Sequence, residues 1–316
     1  MVNEITPGTF SLGLALPQVI STSDRVDPDD VRRLITMTEE VGFSAGWVLD
    51  QFAGRMPTLE PLNVLAFASA VTRQLVLGVA VLVPAARSPL NLAKAVASVD
   101  QLSGGRLVLG LGLGHLGAMP AFGLRGEPPG STLDRELTLL EQAWTGDPVV
   151  GALGPFHFDN ETIVPRPVQG ARPPVWFGGS SLRALERAVS RGDGWVGAGR
   201  TSVDEAEADY ERVRELLVAH GRPRDTFTTA KRLYVVVDVE GDEARERVQD
   251  WFGRFYGRPE MGEQCTILGG PEACTDALHK LAACGFDHVI IHPIGAEERQ
   301  LRILADEVLP NVLLEA

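Results

Sequence analysis

Residues 106–117, RLVLGLGLGHLG, decide the fold. Gly112, Gly114 and Gly117 have the G-x-G-x-x-G spacing of a dinucleotide-binding turn. That spacing has a physical meaning only where a strand runs into a helix whose first N–H groups hold a pyrophosphate. Arg106 to Leu113 reads as the strand, with aliphatic residues alternating with glycine. No helix starts after it. Ala118, Met119, Pro120, Ala121, Phe122 and Gly123 lead to Glu127, Pro128, Pro129 and Gly130, a run too rich in breakers. Three strand-like and three helix-like segments also come earlier, so this is no first βα unit. The motif reads as the glycine-lined end of a buried strand, made of small residues so that a flat ligand can lie against it.

Outward from this strand the chain alternates aliphatic runs with amphipathic ones. Strands are predicted at 9–17, 44–50, 75–84, 106–114, 174–179, 194–198, 226–238 and 287–294. Helices fall between them. One has Asp27 as N-cap and Pro28 at its first position, another has Ser88 and Pro89 in those roles, and a third carries Leu133, Leu137, Leu140 and Trp144 at helical spacing. Pro, Gly and paired β-formers at 146–173 indicate an insertion with a hairpin after the fourth βα unit. Eight strands buried on both faces, with helices between them, predict an α/β fold, a single (β/α)8 barrel spanning 1–316.

Barrel chemistry sits at the C-terminal ends of the strands. Those ends offer Pro17 and Gln18; Asp50 and Gln51; Ala80 to Pro84; Leu113, Gly114 and His115; Gly178 to Ser181; Ala198 to Arg200; and His292.

The chain has 316 residues, 44% hydrophobic and 22% charged, within the range of soluble globular proteins. A formal net charge of −13 repels nucleic acid and anionic membranes, so the expected partner is a small molecule. Glu4 stands where a signal peptide needs positive charge, and no apolar run is long enough to cross a bilayer. Cys265, Cys274 and Cys284 have no zinc-motif spacing; three reduced, structural thiols in a cytoplasmic protein are expected, with no metal site.

At VASVDQLSGGRLVLGLGLG the sequence resembles the bacterial-luciferase-like superfamily of flavin and deazaflavin oxidoreductases, in which a helix ending L-D-x-L-S-G-G-R leads into the fourth strand. EEVGFSAGWVLDQF, TRQLVLGVAVLVP, RSPLNLAKA and PPVWFGGSSLRALERAVSRGDGWV agree in order and spacing. The resemblance implies that the ring of coenzyme F420, or alternatively FMN, rests on a bulge in strand three, with a cis peptide at Ala80–Val81. It implies that Gly178, Gly179, Ser180 and Ser181 present N–H groups and hydroxyls to the cofactor phosphate. It also implies that Leu113 and Gly114 border the ring. Leu113 stands where FMN-binding relatives commonly place an arginine, which favours F420, although Arg125 or Arg200 can replace that arginine.

Many relatives follow the acidic residue at the end of strand two with a histidine that moves a proton. Here Asp50 is followed by Gln51, which cannot. Asp50, Gln51 and His115 are therefore the expected catalytic residues, with His292 a weaker candidate. The family implies hydride transfer between F420 and a small organic substrate. The alternatives are an FMN monooxygenase served by a flavin reductase, or a non-catalytic flavin-binding barrel. A homodimer is expected by resemblance.

Overall fold

A computed structural model describes residues 3–19, 25–52, 54, 56–114, 121–124 and 126–313. The strands are β1 (Ser11–Ala15), β2 (Ala45–Val48), β3 (Val76–Leu82), β4 (Leu107–Leu111), β5 (Val149–Leu153), β6 (Phe156–Glu161), β7 (Val175–Gly178), β8 (Gly194–Gly197), β9 (Thr228–Val236), β10 (Thr266–Leu268) and β11 (His288–Pro293). The helices are α1 (Pro28–Glu40), α2 (Pro61–Val71), α3 (Pro89–Ser103), α4 (Pro129–Thr145), α5 (Leu182–Arg191), α6 (Val203–Ala219), α7 (Gly241–Tyr256), α8 (Gly262–Cys265), α9 (Gly270–Cys284), α10 (Glu297–Ile303) and α11 (Leu309–Leu313).

Strands β1, β2, β3, β4, β7, β8, β9 and β11 pair in parallel and close into a barrel, β9 meeting β8 on one side and β11 on the other. This is the predicted (β/α)8 barrel. The insertion is the predicted hairpin, β5 antiparallel to β6. Its Leu153 and Phe158 are buried in the core shared with α4. One strand escaped the sequence reading. β10 extends the sheet from the upper half of β9, where Thr266 lies opposite Tyr234; three residues are too few to show a period of two.

One apolar layer fills the space between strands and helices, and a smaller one fills the barrel. The inner layer is Ala45, Trp47, Val76, Ala80, Val108, Trp176, Val196, Ala230 and Ile290, with the Trp47 and Trp176 ring centroids 5.2 Å apart. Small residues admit the tryptophans: a Cβ on Gly78 would stand 2.2 Å from the Trp47 ring.

The lower end of the barrel is sealed by His288. Trp47 Nε1 donates to His288 Nε2 at 2.9 Å, so Nδ1 carries the proton and donates to Ser11 Oγ at 2.8 Å. Burial holds the ring neutral, its pKa lowered to about 3. The opposite, C-terminal end is left for chemistry.

The most recognisable motif of the sequence is structural. The Arg106 guanidinium donates to the Ser69, Thr72, Leu75 and Ser103 carbonyls and to Thr72 Oγ1, tying the end of α2 to the start of β4. The Asp100 carboxylate accepts from the Val168 and Gln169 N–H groups and from the Gln169 amide. Among the described residues no helix is long and apolar enough to cross a membrane.

Candidate active site

Strand β3 is irregular against β4, its register slipping between Val79 and Leu82, and the Ala80–Val81 peptide is cis. The bulge sends Val81 over the neighbouring strands. A Cβ on Gly112 would lie 2.4 Å from Val81 Cγ2, one on Gly178 2.8 Å from Val81 Cγ1, and one on Gly110 2.2 Å from the Val79 carbonyl oxygen. Gly114, with φ of 60°, meets Val83 in the same way at 2.6 Å. What approaches the glycines of strand four is therefore the protein's own third strand. Their missing side chains make room for Val81 and Val83. Leu113, beside them, packs against the outer core.

Asp50, at the end of β2, is nearly closed to solvent and engaged on both oxygens. Arg87 Nη1 donates to Oδ2 at 2.6 Å, Arg87 Nη2 to Oδ1 at 3.2 Å, and the Val83 N–H to Oδ2 at 2.9 Å. Arg87 also reaches Glu60 at 2.7 Å. This is the geometry of a positioning residue that holds the turn after the β3 bulge. Gln51 is likewise occupied, its amide donating to the Phe255 carbonyl at 3.3 Å and its oxygen accepting from Thr58 at 3.0 Å. Gln18 bridges Leu49 and Leu59 with three backbone hydrogen bonds. His115 and Arg125 lie outside the described residues.

Gly178 to Ser181 run from β7 into α5. Ser181 caps that helix, its hydroxyl accepting from the Ala184 N–H at 3.3 Å. Gly179 has φ of 129°, a conformation glycine adopts without steric cost, and its carbonyl accepts from Trp195 Nε1 at 2.8 Å. The sequence predicted a strand-to-helix turn here, and the first N–H groups of α5 are at its tip.

The residue that sequence reasoning missed is Arg232. It follows Ala230 on the inward face of β9 and is 6% exposed. Its Nη1 donates to the Ala80 carbonyl at 3.0 Å, across the barrel on the bulge itself, while Nε and Nη2 are buried with no protein partner. His292, inward on β11 next door and 7% exposed, has an unpartnered Nδ1. Burial, and then the Arg232 charge, hold the His292 pKa well below the usual histidine value.

Aromatic rings back this pair: Tyr234 is 4.8 Å and Trp251 5.5 Å from the His292 ring, and the Tyr234 and Tyr256 hydroxyls are 2.8 Å apart. Phe255 stacks on Trp251 at 4.6 Å. The available signal was a basic pair, Lys231–Arg232, inside an aliphatic strand. The two face opposite ways: Lys231 leaves the barrel and bonds Thr201 and the Ala198 carbonyl in the β8–α6 turn.

Residues 8–258 match the family model described as luciferase-like monooxygenase. The chain belongs to this family. A 5,10-methylenetetrahydromethanopterin reductase of Archaeoglobus fulgidus is 23% identical, over 88% of this chain and 94% of its own length. An F420-dependent glucose-6-phosphate dehydrogenase of Nakamurella multipartita is 22% identical, over 92% and 95%. Among solved structures, an F420-dependent secondary alcohol dehydrogenase bound to an F420–acetone adduct superposes with a TM-score of 0.80 at 17% identity, covering 96% of this chain and 99% of its own. The oxygenating constituent of 3,6-diketocamphane monooxygenase of Pseudomonas putida, in complex with FMN, gives 0.75 at 16% identity, over 96% and 99%. These relatives are luciferase-like oxidoreductases and monooxygenases, and the chain is an enzyme of that kind.

Proposed function

We propose that the protein is an F420-dependent oxidoreductase that moves a hydride between the deazaflavin and a small organic substrate. The observation that carries this reading is the Val81 shelf seated on Gly110, Gly112 and Gly178, with the Gly178–Ser181 turn beside it. A shelf of aliphatic carbon fits one face of a flat tricyclic ring, and N–H groups at a helix start fit a phosphate. The choice of F420 over FMN is supported by curated relatives whose names specify it and by Leu113 at the family's arginine position.

When bound, the deazaflavin supplies a ring carbon that exchanges a hydride and does not activate oxygen. The chain's own residues do the rest. Val81 supports one ring face. Gly179, Ser180 and Ser181 bind the phosphate. Asp50, through Arg87 and the Val83 N–H, fixes the turn that carries the shelf. Trp251, Phe255 and Tyr256 wall the mouth against water.

An FMN-dependent monooxygenase, supplied with reduced flavin by a reductase, is the second reading; the FMN-containing neighbour with the same fold favours it. Equilibrium titration with F420, FMN and reduced FMN, read by cofactor fluorescence, separates the two. The control is Ser180→Glu, which places a negative charge where the phosphate would sit and keeps the left-handed Gly179. Saturable F420 binding lost in the variant supports the first reading. Binding of FMN alone moves the protein to oxygen chemistry, and binding of neither overturns both readings.

A further inference from the structure

Arg232 carries a permanent charge in a place where charge is costly. A buried cation is tolerated when an anion or a full set of acceptors surrounds it. Arg232 has one acceptor, the Ala80 carbonyl on Nη1, and no described carboxylate forms an ion pair with it. The unused donors, Nε and Nη2, form one edge of the planar guanidinium, the edge that takes two oxygens of a carboxylate side by side.

The neighbouring His292 Nδ1 is buried and unpartnered as well, so three polar atoms on adjacent strands lack partners. Both side chains border a cavity of about 40 Å3, together with Ala15, Trp47, Trp251 and Glu297; this exceeds the roughly 10–15 Å3 that one water needs. Structural arginines elsewhere in the chain look different. Arg106, also buried, and the half-buried Arg224 are satisfied by carbonyls, hydroxyls or a carboxylate on several nitrogens.

We propose that Arg232 and His292 form a binding site for the planar carboxylate of the organic substrate, Arg232 taking both oxygens on its Nε–Nη2 edge and His292 contacting one of them through Nδ1. Because Nη1 is tied to the Ala80 carbonyl, the carboxylate is held beside the bulge that forms the shelf. The substrate is thus an organic acid whose reacting carbon lies above that shelf. As an account of the substrate, this rests on the oxidoreductase reading; the anion site stands by itself.

The test is binding of acetate and of its neutral isostere acetamide to the cofactor-free protein, followed by tryptophan fluorescence at constant ionic strength. It is run on wild type, Arg232→Met and Arg232→Lys, with F420 titrated in parallel. Acetate should saturate one site in wild type and acetamide should not. Affinity should fall by roughly tenfold or more in both variants, because lysine keeps the charge but not the two-pronged edge. Arg232→Met should also melt no lower than wild type, since it removes an unpaired buried charge, and acetate should raise the wild-type melting temperature alone.

Equal acetate affinity in wild type and Arg232→Met overturns the proposal, as does acetamide binding as well as acetate. A parallel loss of F420 affinity in Arg232→Met also overturns it, by giving the guanidinium to the cofactor. If wild type binds acetate as described but no F420, the anion site survives and the proposed function fails.

Discussion

Val81 Cγ2 stands 2.4 Å from where a side chain on Gly112 would begin, and this contact joins the third and fourth strands at the floor of the mouth. Valine is stiff at its first side-chain torsion, so it cannot swing aside as a long side chain would. Gly112→Ala is expected to push Val81 upward, cost about 1–3 kcal/mol of stability from overpacking, and weaken cofactor binding by distorting the shelf. Thermal unfolding and cofactor titration of the same variant measure both. Gly110→Ala should be worse, because its neighbour is the backbone oxygen of Val79 at 2.2 Å. Wild-type behaviour of both variants would contradict the tight seating of the bulge.

The Asp50–Arg87 pair is tested by a double-mutant cycle. Arg87→Met leaves the Asp50 carboxylate buried with only the Val83 N–H as partner, and should cost about 3–5 kcal/mol. Asp50→Asn in the same background should restore part of that loss, giving a coupling energy within roughly 0.5–3 kcal/mol in urea unfolding. Additive losses would mean that the two side chains do not act as a unit.

Glu136 introduces a pH dependence outside the site. It is buried on α4 among Leu133, Leu137 and Leu140, and burial raises its pKa to about 8. Between the ordinary glutamate value and about 8 the folded protein binds a proton that the unfolded chain does not. Stability from this group is therefore complete at low pH and lost as pH rises through that window. Glu136→Gln should melt higher than wild type at pH 8.5 and close to it at pH 4.5. An equal difference at both values would show that Glu136 is not held protonated.

His288 acts in the opposite direction. Its pKa is lowered to about 3 by burial, so from the ordinary histidine value of 6.5 downward the unfolded chain takes up a proton that the folded barrel refuses. Its contribution is present above that value and is lost as pH falls toward 3. Trp47→Phe removes the donor to Nε2 and should cost roughly 1–3 kcal/mol at neutral pH. Its acid-unfolding midpoint should also move upward. Urea unfolding across pH 3–7 checks both, and an unchanged profile would mean that the indole hydrogen bond contributes little.

Much of this molecule is legible from its sequence because the signals are local. Asp27–Pro28 and Ser88–Pro89 mark helix starts that the structure reproduces, and eight aliphatic runs become eight barrel strands. The breakers at 118–130 argue against a nucleotide turn because backbone chemistry acts within a few residues, and the sheet is a closed barrel rather than an open one. Family motifs carried the cis bond at Ala80–Val81 and the turn at Gly178–Ser181. Tertiary structure alone decided what the side chains do. Asp50 is legible as an acidic strand end, but its pairing with Arg87, 37 residues away, is not. The glycines of strand four give no sign in the sequence that Val81 of strand three packs against them. Arg232 reads as one more basic residue until the barrel closes, buries it and leaves two of its nitrogens without partners. Periodicity and capping are properties of a short stretch of chain, whereas burial, pairing and the lack of a pair exist only between segments that the fold brings together.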